Sequence, residues 1–101
     1  MEQWTIEQWQ AAMQNKKVAA LYFYTPMCGT CEVASKMLNI VEISFPSLQI
    51  GKMDINYVQE LAFKYKIESV PCLIVAKNGE ITNKVYAFES VTKLYELLQT
   101  N

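Results

Sequence analysis

Cys28-Gly29-Thr30-Cys31 follows almost directly on the apolar run Val18-Ala-Ala-Leu-Tyr-Phe-Tyr24. No other stretch constrains the chain as much. A nearly continuous apolar run of strand length is what a strand buried on both faces requires. From Cys28 onward, Val33, Ala34, Met37, Leu38 and Val41 recur at helical spacing to about residue 43. Two cysteines therefore sit where a buried strand gives way to a helix. If the helix begins near Cys28, its free N–H groups and the positive end of its dipole face that sulfur. They favour thiolate over thiol, and the thiolate is the nucleophile. Cys31 lies one turn deeper, within reach of a disulfide with Cys28. The spacing predicts a redox site that passes two electrons to another disulfide.

The rest of the chain reads as alternating helices and strands. Thr5-Ile-Glu-Gln8 has capping-box spacing, and Ile6, Trp9, Ala12 and Met13 follow at helical spacing, which predicts a helix over 6–14. Asn15-Lys16-Lys17 is a polar turn, and Pro26 stiffens the connection into the cysteine pair. Phe45-Pro46-Ser47 breaks the second helix. Leu48–Ile55 alternates like a strand, and Asn56 is expected to cap a helix running to about Tyr65. Leu73–Ala76 is a short strand, Asn78-Gly79 a strong hairpin signal, and Glu80–Tyr86 the returning strand. Ser90 opens a last helix, with Val91, Leu94, Leu97 and Leu98 turned inward. This order implies one α/β domain over residues 1–101, its sheet part parallel and part antiparallel.

Composition narrows the partners. The chain is 51% hydrophobic and 19% charged, an ordinary soluble composition, and its net charge of −1 favours neither nucleic acid nor anionic membrane. No apolar run approaches the roughly 20 residues of a membrane span. The N-terminus has no basic region followed by an apolar stretch, so no signal peptide is expected. Three cysteines, an odd number, argue against a secreted disulfide scaffold. A cytoplasmic address and a resting dithiol are the expectation. The chain lacks histidine, the commonest general acid–base group and metal ligand.

Taken together, these residues resemble the thioredoxin family. The likeness covers nearly the whole chain. It rests on the CxxC after the first long strand, on Lys52-Met-Asp-Ile-Asn56, on Val70-Pro71-Cys72 and on Lys77-Asn-Gly-Glu80. The resemblance implies the thioredoxin fold, a central mixed sheet flanked by helices on both faces. It implies reversible thiol–disulfide exchange, and so a part in electron transport and cell redox homeostasis. Cys28 would attack a substrate disulfide and Cys31 would resolve the mixed disulfide. Pro71 matches a proline that is cis in the family and lies against the CxxC. The Val70 backbone beside it would pair with an extended substrate segment. Met27, Gly29 and Thr30 would complete the substrate-positioning set. No cofactor is expected. The implied partners are disulfide-containing proteins or low-molecular-weight mixed disulfides, together with a reductant such as thioredoxin reductase or a small thiol. A monomer is expected.

The chain also departs from the family pattern. Met27 stands where Trp is usual, and Gly29-Thr30 replaces Gly-Pro. Without that proline one more backbone N–H lies near the sulfurs. Hydrogen bonding to a thiolate stabilises the reduced form, so a less reducing potential is expected. The family's buried aspartate falls on Tyr22, whose neutral phenol cannot act as a carboxylate base for Cys31. Lys52 thereby loses its usual partner. Glu32 replaces a basic residue, and its charge opposes the dipole's effect on Cys28. A glycine before the final helix is replaced near Ala87.

Two other readings compete. Cys72 could add a third thiolate to a metal or iron–sulfur site, but a structural zinc site needs four ligands and the sequence offers no fourth cysteine and no histidine. Alternatively, the groove beside Pro71 could hold an extended peptide without using either thiol. Cys72 itself reads as a small packing residue or as an auxiliary thiol. Trp4 and Trp9 read as core or staple residues, and Tyr22 and Tyr24 as strand packing.

Overall fold

In the computed structural model, which describes residues 1–99, the apolar run becomes a central strand, β2 (Val18–Tyr24). It pairs parallel with β3 (Ile50–Asp54) on one side and antiparallel with β4 (Cys72–Lys77) on the other. A two-residue strand, β1 (Glu2–Gln3), runs parallel to β3 at one edge, and β5 (Glu80–Val85) closes the other. The sheet order is β1-β3-β2-β4-β5. Mixed pairing is thus present as expected.

Side-chain alternation along β2 divides the core into two layers. Ala19, Leu21 and Phe23 join Trp9 of helix α1 (Ile6–Asn15) and Leu61 of helix α3 (Gln59–Lys64). Val18, Ala20 and Tyr22 join Ala34, Leu38 and Val41 of helix α2 (Gly29–Ser44) and Leu94 of helix α4 (Val91–Leu97). Helices therefore cover both faces. Each large apolar side chain buried this way contributes on the order of 1.5–3 kcal/mol.

Local sequence fixes most of the boundaries. Thr5 and Gln8 form the full capping box of α1. Trp4, just before the cap, packs on Trp9 with ring centroids 6.3 Å apart, a hydrophobic staple. A Cβ at Gly51 would collide with the Trp4 indole, so this strand position has room for glycine only. Asn78 and Gly79 take φ of 54° and 84°, as a two-residue hairpin demands. Ser90 accepts from the Lys93 N–H at 3.1 Å and caps α4.

Two expectations need correction. Asn56 caps no long helix. Instead Asp54 accepts the Asn56 N–H at 3.0 Å and caps a 3-10 turn over Ile55–Tyr57. The carboxylate two residues earlier captures the N–H first, as Asp side chains do in local turns. Helix α3 then starts only at Gln59, with no side-chain cap. Strand β1 was not expected either. Its two residues are exposed and carry no pattern of their own.

Candidate active site

Helix α2 begins at Gly29, and Cys28 is its N-cap. The Cys28 sulfur takes the place of a capping oxygen and accepts the Cys31 N–H at 3.1 Å. A sulfur can cap here because the chain enters α2 with Cys28 in an extended conformation. The two cysteines form a disulfide, with their Cα atoms 5.2 Å apart. They differ in access. Cys28 is half-buried, whereas Cys31 is only 3% exposed.

The surroundings of Cys28 come from three segments. Met27, just before it, is 96% exposed. Thr30 lies within the same turn, its Oγ1 3.4 Å from the Cys28 Sγ, where the hydroxyl can donate to sulfur. The Val70–Pro71 peptide is cis, and the Val70 carbonyl oxygen lies 3.9 Å from the same sulfur. Gly29 has open space where a Cβ would stand. The structure thus brings Met27, Gly29, Thr30, Val70 and Pro71 around Cys28. Beside them runs a groove of about 410 Å³, lined by Thr30, Val33, Ala34, Met37, Pro71, Tyr86, Ala87 and Phe88. The expectation that the N–H freed at position 30 supports the sulfur is corrected here: the N–H that bonds to it belongs to Cys31 and would be there with proline too, and Thr30 contributes its hydroxyl instead.

Known proteins match this chain in sequence and in fold. The family model described as Thioredoxin matches residues 1–100. The chain belongs to the thioredoxin family. It is 46% identical over 82 residues to the thioredoxin-like protein YusE of Bacillus subtilis, spanning 81% of this chain and 77% of that one. It is 32% identical over 89 residues to the thioredoxin of the same organism, spanning 87% and 86%. The oxidised mitochondrial thioredoxin 3 of Saccharomyces cerevisiae shares the fold at a TM-score of 0.85, with 17% identity, over 97% of this chain and 92% of that one.

Within this thioredoxin frame several residues do something different. Tyr22, fully buried, donates its hydroxyl to the Cys31 carbonyl at 2.7 Å and accepts from Ser35 Oγ at 3.2 Å. Burial pushes the phenol above its ordinary value, so it stays protonated and remains a donor. Ser35 was missed in the sequence reading. The sequence shows only that it follows Cys31 by one helical turn; its partner, the Tyr22 hydroxyl, is supplied by the packing of β2 against α2. Lys52, without a buried acid to pair with, places its ammonium 5.6 Å from the centroid of the Tyr24 ring. Glu32 is exposed in the first turn of α2.

Cys72 is fully buried and belongs to the layer formed with α1 and α3, on the opposite side of the sheet from α2. Burial pushes its thiol up to about 11, with Lys84's charge and the Tyr86 hydroxyl pulling the other way. Among the described residues, no three Cys, Asp or Glu side chains converge in a way that could hold a metal ion. None of the described helices is long and apolar enough to cross a membrane.

Proposed function

We propose that Cys28 is the attacking thiol and Cys31 the resolving thiol of this thiol–disulfide oxidoreductase. The observation that carries the assignment is the asymmetry of the pair. Cys28 is half-exposed at the helix N-terminus and receives a backbone N–H, whereas Cys31 is buried behind it. The Cys28 thiolate attacks a substrate disulfide, joins one substrate sulfur and expels the other. The Cys31 thiolate then attacks Cys28, releases the second substrate sulfur and leaves the Cys28–Cys31 disulfide. Two electrons have moved from the dithiol to the substrate.

Val70 and Pro71 supply the wall against which an extended substrate segment lies, and the open space at Gly29 leaves room for it. Met27 gives an apolar contact at the rim, and Thr30 holds the thiolate. The substrates are disulfide-containing proteins or small mixed disulfides. A flavoprotein reductase or a small thiol restores the dithiol. One domain over residues 1–101, monomeric and cytoplasmic, with the pair reduced at rest, fits the ordinary globular composition and the odd cysteine count.

Alkylation of the reduced protein at neutral pH tests the assignment, with modified sites read by mass spectrometry. Cys28 is expected to react well before Cys31 and Cys72. Equal rates at Cys28 and Cys31 would contradict it.

A further inference from the structure

The Tyr22 hydroxyl does not touch solvent and does not face the substrate groove. It comes from the middle of β2 and ends on the carbonyl oxygen of Cys31, at 2.7 Å. That carbonyl already belongs to the hydrogen-bond ladder of α2, where the Ser35 N–H is its helical partner. Ser35 meets the same phenol from above, its Oγ donating to the Tyr22 oxygen at 3.2 Å. Stacking on Tyr24 at 5.8 Å and a tilted contact with Phe88 at 6.1 Å hold the ring itself. The phenol thus has both of its hydrogen-bonding functions engaged, one with Cys31 in the first turn of α2 and one with Ser35 in the next.

We propose that Tyr22 and Ser35 are positioning residues for the resolving step: their linked hydroxyls fix the first turn of α2 to the sheet so that Cys31 Sγ stands in line with the Cys28–substrate bond. The inference rests on the reading of Cys31 as the resolving thiol. In that step the Cys31 thiol gives its proton to water. Its sulfur bonds to Cys28 Sγ while the Cys28–substrate bond breaks, and the substrate sulfur leaves with the electron pair and takes up a proton. Displacement at sulfur is sensitive to alignment, and a small misplacement of the attacking atom slows it strongly. The first step makes no such demand on Cys31, because Cys28 attacks from the exposed side. Tyr22 and Ser35 therefore act on the second step and leave the first nearly untouched.

A single-turnover reaction separates the steps. Reduced full-length protein in slight excess is mixed with dithiobis(nitrobenzoate), whose released thiol is coloured. Attack by Cys28 releases the first equivalent, and attack by Cys31 the second. Tyr22→Phe keeps the ring and removes only the hydroxyl. It is expected to slow the second phase about fivefold, the effect of one ordinary hydrogen bond, with the first phase changed less than about twofold. Ser35→Ala is expected to slow the second phase less. The double variant should be no slower than Tyr22→Phe, since Ser35 acts through the phenol. Phases slowed equally, or an unchanged second phase, in Tyr22→Phe would overturn the proposal. Should Tyr22→Phe fail to fold, an unchanged second phase in Ser35→Ala would overturn it as well. Cys31→Ser serves as the control for the underlying reading and must show the first phase alone. A second phase that survives there would remove the resolving role of Cys31, whatever Tyr22 does.

Discussion

The backbone N–H of Cys31 donates to the Cys28 sulfur at 3.1 Å, so the two halves of the redox pair are joined by a hydrogen bond as well as by their disulfide. The bond is worth more to a thiolate than to a disulfide sulfur, because a charged acceptor strengthens it. It therefore favours the reduced state, and the nearby Thr30 hydroxyl acts in the same direction.

That balance predicts the effect of Thr30 on the potential. The wild-type value is expected between about −200 and −270 mV, in the less negative half of that interval. Thr30→Val removes the hydroxyl beside the sulfur, and so does Thr30→Pro, which leaves the Cys31 N–H in place. Each should weaken the thiolate and make the protein more reducing, by about 20 mV for one hydrogen bond. Equilibration with a glutathione or dithiothreitol buffer reads the shift. A potential that stays constant or becomes less negative would refute the role of Thr30.

Cys72 predicts a pH effect on stability. Its thiol is raised to about 11 in the fold, against about 8.5 in an unfolded chain. Between these values the folded state keeps a proton that the unfolded state loses. The resulting stability is complete below about pH 8.5 and is lost as pH rises through about 11. In the oxidised protein, where Cys28 and Cys31 carry no titrating proton, urea midpoints should fall over this range. The fall should be steeper than in Cys72→Ala, by on the order of 3 kcal/mol in total. Parallel curves would show that Cys72 is not held as a buried thiol.

Gly51 tests the packing at the sheet edge. Any Cβ there meets the Trp4 indole, which is itself stapled to Trp9. Gly51→Ala must displace Trp4 and is expected to cost about 1–3 kcal/mol, measured by urea unfolding. Trp4→Ala in the same background should relieve much of that clash. A Gly51→Ala protein as stable as wild type would contradict the contact.

Much of this architecture was legible before the structure. The apolar run Val18–Tyr24 forms one strand with the bounds it suggests, because a doubly buried strand needs apolar side chains on both faces. Asn78-Gly79 makes its hairpin because two successive positive φ values suit few other pairs. The CxxC lies at the helix start, as the periodicity after it requires. What was not legible depends on contacts between distant segments. Strand β1 exists because β3 offers an edge to Glu2 and Gln3, and two exposed residues cannot announce that. Tyr22 read as packing because composition reports a ring and says nothing of where its hydroxyl ends. Only the crossing of β2 beneath α2 brings that hydroxyl to Cys31 and makes Ser35 matter.

Trapping of substrate on single-cysteine variants tests the central claim most directly. With a disulfide-bonded protein substrate such as insulin, Cys31→Ser should accumulate a covalent adduct at Cys28, visible as a mass increase that a small thiol removes. Cys28→Ser should accumulate none. Adducts in Cys28→Ser, or release of product by Cys31→Ser at the wild-type rate, would contradict the division of labour between the two cysteines.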